Sequence, residues 1–249
     1  MAAGNLFSPK IPQKRKESQL TYEINHRSLS SFILNIQDVE RLIEIHRVLT
    51  GDARGRRRNV EVLNKSAVVL LTACLEAFIE DLAEESFDFL LSTATTPDAI
   101  PDSVRTLASK PLAESKDERK VWELAGDGWK DVLANHRSFV IARYIEGFNT
   151  PKPDKVDKLF KELIGLNSLS SCWHWRKMSH QSASDYLTKL VEDRGSIAHR
   201  TRANQRINKD YVTGYRDFVY RVAACSYNSV RTHLLNLTGK EPWTEYTGS

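Results

Sequence analysis

Residues 60–89 read VEVLNKSAVVLLTACLEAFIEDLAEESFDF, and no Pro or Gly follows this stretch until Pro97. Its apolar side chains recur at intervals of three and four residues, which is the helical period. They are Val60, Leu63, Ala67, Leu70, Leu71, Cys74, Phe78, Leu82 and Phe89. The acidic side chains of this stretch, among them Glu80 and Glu84, lie off the apolar face. The pattern predicts one long amphipathic helix that buries its apolar face.

The same period marks the neighbouring segments. Residues 28–49 carry Phe32, Ile36 and Val39 at helical spacing, and residues 208–237 are predicted to form the last helix of the chain. The first two helices are separated by a short turn that contains Gly51 and the arginine-rich run at 54–58. Two long helices joined by a short turn are expected to pack antiparallel, because both then bury their apolar stripes.

Prolines interrupt the middle of the chain. Shorter helices are predicted at 120–133, 138–148 and 154–164, the last with Pro153 near its start, where the missing N–H costs least. A further helix is predicted to end at Asp193, with Ser182 or Ser184 as its N-cap. No alternation typical of strands is present in the sequence. The fold class predicted is all-α, an antiparallel helical bundle with a helical insertion.

The domain organisation follows from these patterns. Residues 1–27 are predicted to form a flexible basic N-terminal arm, since they are rich in Lys, Arg and Pro and poor in apolar residues. Residues 28–240 are predicted to form a single helical domain. Within it, residues 95–180 are expected to be an insertion, because they have no long apolar stripe of their own.

Composition sets broad bounds on function. The 249 residues are 41% hydrophobic and 27% charged, as in ordinary globular proteins, and the net charge of +4 permits nucleic-acid binding without establishing it. Three widely spaced cysteines (Cys74, Cys172 and Cys225) argue against a disulfide framework and favour a reducing compartment. Neither an export signal nor an 18-residue apolar run is present, so we expect a cytoplasmic protein with no membrane span.

The stretch Arg194-Gly195-Ser196-Ile197-Ala198-His199 carries the strongest chemical signal. Histidine can transfer a proton near neutral pH, and arginine can hold a phosphate and stabilise charge that develops on its oxygens. Five residues on a straight helix turn through about 140°, so the two side chains cannot share a face. Gly195 and Ser196 are therefore expected to break the helix and let both side chains reach one cleft.

The segment 190–200, LVEDRGSIAHR, resembles the Arg-x(4–6)-His signature of the HEPN superfamily of helical ribonucleases, in its RiboL-PSP-HEPN/MAE-like branch. The segment 71–82, LTACLEAFIEDL, is similar to the long second helix of that family, which often carries an acid there. The resemblance covers residues 28–92 and 182–237. Gly195 departs from the pattern, because the family usually has a polar residue, often Asn, directly after the arginine. Ser196 is a possible substitute for it.

The resemblance implies a bundle that dimerises, with the Arg and His of both protomers in one cleft that cuts single-stranded RNA without a metal or other cofactor. Arg194 and His199 match the catalytic pair, and Glu76 and Ser196 are possible supporting residues. Bacterial members are commonly toxins or antiviral defence nucleases, so RNA, a second copy and an antitoxin or defence-system protein are the implied partners.

Other readings stay open at this stage. Arg194 could instead cap a helix C-terminus, with His199 packed at a domain edge. Arg200, Arg202 and Arg206 follow the motif and are candidates for RNA-backbone contacts, as is the run at 54–58. The indoles of Trp173 and Trp175 either anchor the insertion or stack RNA bases. The residues Cys172, His174 and His180 lack a four-ligand zinc pattern, so no metal site is predicted.

Three functions therefore compete. The leading hypothesis is a metal-independent endoribonuclease that cuts through attack of the 2′-hydroxyl. The second is a non-catalytic module of the same fold that binds RNA, nucleotide or another protein, and the third is a helical scaffold with no nucleic-acid role.

Overall fold

In the computed structural model, residues 26–51, 60–147, 151–200 and 207–247 are described, without the side chains of 145–147 and 200. The predicted arm up to residue 25 and the arginine-rich run at 54–58 lie outside these residues. The described ranges contain no β-strand, and the all-α prediction is confirmed. The α-helices are α1 (Arg27–Thr50), α2 (Glu61–Thr93), α3 (Asp102–Ala113), α4 (Gly128–Gly147), α5 (Pro153–Ile164), α6 (His180–Arg200) and α7 (Lys209–Thr238). Short 3-10 helices lie at Pro97–Ala99, Glu118–Leu124 and Leu169–Cys172.

Helix α2 is the centre of the bundle. It contacts α1, α4, α5, α6 and α7, so it is covered on more than the one face that the sequence pattern marked. Val68, Leu75, Ile79 and Phe87 are buried beside the predicted stripe. A helix that is apolar on several sides is stable in water only when neighbours cover those sides, and here five helices do so.

The length and apolar composition of α2 would by themselves allow it to cross a membrane. Both properties also belong to a helix at the centre of a bundle, and half of its most apolar window is buried inside the protein. The contacts of α2 with its five neighbours account for its apolar character without a bilayer.

Helices α1 and α2 pack antiparallel, as predicted. At the start of α1, the Arg27 guanidinium donates to the Asp81 carboxylate at 2.6 Å, and the Ser28 N–H donates to Glu85 at 3.3 Å. One turn further along, the rings of Phe32 and Phe78 lie 5.1 Å apart. The acidic side of α2 therefore caps the first turn of α1, and the aromatic pair fixes the register of the two helices.

Helix α7 starts beside the start of α2 and ends near the first described residue. The buried Asn64 side chain donates to the carbonyl oxygen of Ile207 at 3.1 Å. After α7, the Trp243 indole stacks on Tyr227 at 5.1 Å and lies 5.4 Å from the ring of His26. The segment beyond α7 thus closes the bundle against the N-terminal end of α1.

The middle of the chain differs from its prediction in three places. Helix α3 is not among the predicted helices, because the prolines of this region indicate interruptions, yet Pro111 lies inside its last turn. The two helices predicted at 120–133 and 138–148 are wrong. The chain forms the 3-10 helix Glu118–Leu124, turns at Gly126 with φ +61°, and continues as the single helix α4. No Pro or Gly lies between 129 and 146 to interrupt it.

Helix α5 matches its prediction and joins the middle of the chain to the core. Val156, Leu159, Phe160, Leu163 and Ile164 are all buried. Gly165 ends the helix with φ +74°, and a Cβ at this position would lie 2.7 Å from the Cβ of Pro101. Only glycine combines this backbone conformation with such a close approach. That residues 95–180 are an insertion in the domain remains a prediction.

Candidate functional site

Helix α6 carries the Arg194–His199 motif, and it begins earlier than predicted. The Ser182 N–H donates to Ser179 Oγ at 3.1 Å, so Ser179 is the N-cap and His180 the first helical residue. The predicted caps Ser182 and Ser184 both lie inside the helix. Ser182 could be mistaken for the cap because it is one of several serines at this end of the helix, and only the hydrogen bond distinguishes them.

The helix runs without a break through Gly195 and Ser196 to Arg200. The predicted break at these two residues is therefore wrong. The buried Ile197 anchors the last turns of α6 to the core. Gly195 permits a bend but does not impose one, since it costs only about 1 kcal/mol relative to alanine in a helix.

The unbroken helix places Arg194 and His199 on different faces. Arg194 follows the buried Leu187, Leu190 and Val191 at helical spacing, and its side chain is half-buried on the side that packs against α2. His199 lies seven residues after the exposed Glu192 and is itself exposed. The two positions are about 140° apart around the helix and about 7.5 Å apart along it. One protomer therefore does not bring the pair into a common cleft through α6 alone.

Glu76 of α2 lies beneath the motif. Burial raises the pKa of its carboxyl, and the positive charge of Arg194 opposes that shift. Its Oε1 atom is buried, and no hydrogen-bond partner for it lies within the ranges that the structure covers. Arg194 likewise forms no ion pair with any described carboxylate. The two groups sense each other's charge across the α2–α6 interface without a direct bond.

A buried carboxylate directly precedes the motif arginine. Asp193 is only 3% exposed. It accepts a hydrogen bond from the Tyr211 hydroxyl and a longer one, at 3.5 Å, from the Tyr215 hydroxyl. The two tyrosine oxygens are 2.8 Å apart. Burial raises the pKa of both hydroxyls, so both stay protonated and able to donate.

This cluster fixes the rotation of α6 against α7, and sequence reasoning missed it. The Tyr186 ring of α6 packs on Tyr215 with centroids 4.6 Å apart, and it meets Phe218 edge-on at 4.9 Å. Together with the bonds to Asp193, these contacts decide which way Arg194 and His199 face. The signal in the sequence was the spacing of Tyr211 and Tyr215 four residues apart on one helix face, opposite an acid next to the motif.

The other predicted site residues fall into two groups. Ser196 is half-buried on the unbroken helix, one position before Ile197. Arg202 and Arg206 lie outside the described residues, and Arg200 is described only through its backbone as the last residue of α6. Their predicted contacts with RNA remain predictions.

The two indoles of the middle region have different surroundings. Trp173 is fully buried, and its Nε1–H donates to Ser226 Oγ on α7 at 2.8 Å. It is an anchor, as the sequence favoured. Trp175 is half-buried.

Cys172 was considered as a metal ligand from the sequence, and burial raises the pKa of its thiol to about 12. Among the described residues, His, Cys, Asp and Glu side chains form no group of three or more suited to a metal ion.

Comparison with known proteins identifies a matching family. The sequence model of the RiboL-PSP-HEPN family matches residues 25–231, which span α1 to α6 and most of α7. No curated protein and no solved structure matches the chain.

Replacing Gly195 by alanine tests the continuity of α6. A Cβ at this position would meet nothing within 4 Å, so alanine should stabilise the fold by about 0.5–1 kcal/mol through its better helix propensity. Urea unfolding of Gly195→Ala beside wild type measures this. Gly214→Ala, also in a helix and with only an ordinary contact at 3.6 Å, is the matched control. A destabilised Gly195→Ala beside a stabilised control would mean that α6 bends at Gly195 in solution.

Replacing Glu76 by glutamine tests the burial of its carboxyl. A raised pKa means that the folded state holds the proton of the Glu76 carboxyl more tightly than the unfolded chain does. The free energy of unfolding therefore decreases as pH rises through the pKa of Glu76 in the folded state. Glu76→Gln should therefore melt above wild type at pH 7, and the difference should shrink towards pH 4. The exposed Glu192→Gln is the control and should show no such trend. A Glu76→Gln protein less stable than wild type at pH 7 would show that the carboxylate has a favourable partner.

Proposed function

The chain belongs to the RiboL-PSP-HEPN family, and from this premise we propose that it is a metal-independent endoribonuclease. Membership of this family indicates a nuclease or an RNA-interacting module. The proposal of catalysis rests on the exposure and pairing of the two motif side chains, Arg194 and His199. A half-buried guanidinium without a described carboxylate partner sits on α6, and an exposed imidazole follows five residues later.

The proposed reaction uses these two groups on single-stranded RNA. The ribose 2′-oxygen attacks the adjacent phosphorus while an imidazole takes the 2′-proton, and the bond from phosphorus to the 5′-oxygen breaks as that oxygen receives a proton. Arg194 holds the phosphate and stabilises its added negative charge. The products are a 2′,3′-cyclic phosphate and a 5′-hydroxyl. DNA has no 2′-hydroxyl and is not a substrate.

Because the two side chains of one α6 face apart, the proposed site is shared between two copies of the chain. A two-fold axis near α6 would place His199 of one protomer beside Arg194 of the other and would supply a second imidazole for the acid role. The exposed His199 and the half-buried Arg194 suit this arrangement, since only the imidazole needs to reach across.

The surface that the second copy would cover lies at the same end of the bundle. Val48 and Leu49 at the end of α1 are 75% and 67% exposed, and Val62 at the start of α2 is 63% exposed. The hydrogen bond from Asn64 to Ile207 places Ile207, seven residues after the end of α6, beside this end of the bundle. We propose that this apolar surface, formed by Ile45, Val48, Leu49 and Val62, is part of the homodimer interface.

A toxin or antiviral defence role in the cytoplasm, with an antitoxin or defence-system partner, remains our proposal for the setting of this activity. A second candidate function is a non-catalytic RNA- or nucleotide-binding module. The separation of Arg194 and His199 on one protomer, together with the departure at Gly195, favours this alternative if the protein is a monomer.

The cleavage proposal predicts loss of activity on substitution of the motif. In EDTA, His199→Ala should lower cleavage of labelled RNA by about 10²–10⁴-fold, since a general acid–base is removed. Arg194→Lys should fall close to Arg194→Ala, because an ammonium cannot reproduce the two parallel bonds of a guanidinium to phosphate.

His174→Ala, which removes an exposed histidine outside the motif, is the matched control and should cut at the wild-type rate. Thermal melts check that each variant folds. Wild-type activity in His199→Ala would end the catalytic assignment, and RNA retention without cutting by wild type would favour the binding module.

The shared site predicts complementation between inactive variants. Arg194→Ala and His199→Ala, each inactive alone, should regain partial activity when they are mixed and allowed to exchange subunits. A mixed dimer combines the intact arginine of one chain with the intact histidine of the other. Light scattering should report a dimer throughout. Mixed dimers as inactive as either variant alone would contradict a site in which one arginine and one histidine from different chains suffice for partial activity.

A further inference from the structure

A short basic turn lies at the opposite end of α6 from the motif. The Trp175 N–H donates to the Met178 carbonyl at 3.0 Å, and the Met178 N–H returns a bond to Trp175 at 2.9 Å. This pair of bonds presents Arg176 and Lys177 at the tip of the turn, where both are exposed. We call residues 175–178 together with Arg221 of α7 the basic turn, which is distinct from the arginine-rich run at 54–58.

The cations of the basic turn are not neutralised within the described parts of the chain. Most arginines whose side chains are described pair with Asp or Glu, for example Arg137 with Glu84 at 3.0 Å. Arg176, Lys177 and Arg221 form no such pair among these residues. For Arg176 and Lys177 the sequence explains why, since no acidic residue lies between Glu162 and Asp185. Arg221 has Asp217 one helical turn before it, and that carboxylate pairs with Arg216. Unpaired exposed cations close together favour an anionic partner.

The turn is also held rigidly and combined with aromatic surface. The guanidinium of Arg221 lies over the Trp175 ring at 5.7 Å, and that ring contacts Phe218 at 5.9 Å. The neighbouring Trp173 is locked to Ser226 of α7 by its indole N–H. A cation stacked on a half-buried indole, beside two further cations, combines a flat surface for a base with charges for phosphates.

We propose that the basic turn is a second RNA contact, at which Arg176 and Lys177 bind backbone phosphates and the Arg221–Trp175 pair packs against a base. The choice of RNA as the partner rests on the proposed function. His180, at the start of α6, is about 28 Å along the helix from His199. The exposed Asp185 and Glu192 lie between them, so this contact is separate from the motif and would hold the strand at a distance from the cut.

The planar groups favour RNA over an acidic protein as the partner. A carboxylate-rich protein surface would need only the charges. Bases add stacking on aromatic and guanidinium planes, which contributes about 1–3 kcal/mol per base.

The test measures binding of a labelled single-stranded 2′-O-methyl RNA, which the proposed chemistry cannot cut, by fluorescence anisotropy over a range of salt concentrations. The double variant Arg176→Gln/Lys177→Gln should bind more weakly than wild type. Its slope of log affinity against log salt should fall by about 1.4, since each phosphate contact on a single strand contributes about 0.7.

Lys116→Gln/Lys120→Gln is the matched control, because it removes the same charge from two exposed positions between α3 and α4. It should leave the slope unchanged. Arg221→Lys keeps the charge and removes the stacked plane, and it should weaken binding without changing the slope. Thermal melts of all three variants should coincide with wild type.

The outcomes separate this inference from the proposed function. If wild type cuts ordinary RNA but the double variant binds as wild type does, the second contact is overturned and the nuclease proposal stands. If wild type binds RNA through the turn but does not cut, the nuclease proposal is overturned and the second contact stands. Absence of RNA binding by wild type overturns both. A double variant that loses polyglutamate binding as much as RNA binding overturns the assignment to RNA.

Discussion

The pitch of an unbroken α6 is the constraint on which the geometry of the candidate site depends. Each residue turns the helix by about 100°, so the five residues from Arg194 to His199 carry the second side chain away from the first. Arg194 continues the buried stripe of α6 towards Glu76 of α2, and His199 continues its exposed face. The helix thus separates the guanidinium of Arg194 from the imidazole of His199, and the two can be brought together only by a partner surface or by bending the helix.

The pitch has this effect because α6 cannot rotate freely about its axis. The carboxylate of Asp193 is bonded to the hydroxyls of Tyr211 and Tyr215 on α7 in a buried site. A buried carboxylate that loses its donors is costly, since nothing replaces the water it has given up. The bonded tyrosines therefore set the orientation of α6 to within the tolerance of a hydrogen bond. The motif inherits that orientation, because Arg194 is the next residue along the chain.

Helical periodicity was enough to predict the long elements, because α1, α2 and α7 each bury an apolar stripe that the sequence displays directly. It failed where local signals conflict with packing. Pro111 lies in the last turn of α3, which ends two residues later, and Gly195 lies inside α6 without interrupting it. Whether a glycine breaks a helix depends on what the flanking residues bury, and here Ile197 holds the following turn.

The site shows the same division between local pattern and tertiary contact. Arg194, His199 and Glu76 could be selected by residue type and spacing, and the charge of Arg194 does reach Glu76. The part played by Asp193 was missed, because the spacing of Tyr211 and Tyr215 marks a shared face of α7 but does not tell which side chain, eighteen and twenty-two residues earlier, their hydroxyls bind. Nor does periodicity reveal which cations lack an acidic partner, since the pairs that neutralise other arginines, such as Arg137 with Glu84, span distant helices.

The stacked rings of His26, Trp243 and Tyr227 make a circular permutant of the chain possible. It brings the start of α1 and the segment after α7 into contact, with ring centroids 5.4 Å apart between His26 and Trp243. Two positions this close can be joined by a short linker, and new termini can then be opened in the exposed stretch at 114–120 between α3 and α4. The helices of such a circular permutant would follow one another in the order α4–α5–α6–α7–α1–α2–α3. Helices α6, α7, α1 and α2 would then be consecutive in the chain. In that order α7 runs directly into α1, which it contacts in the fold.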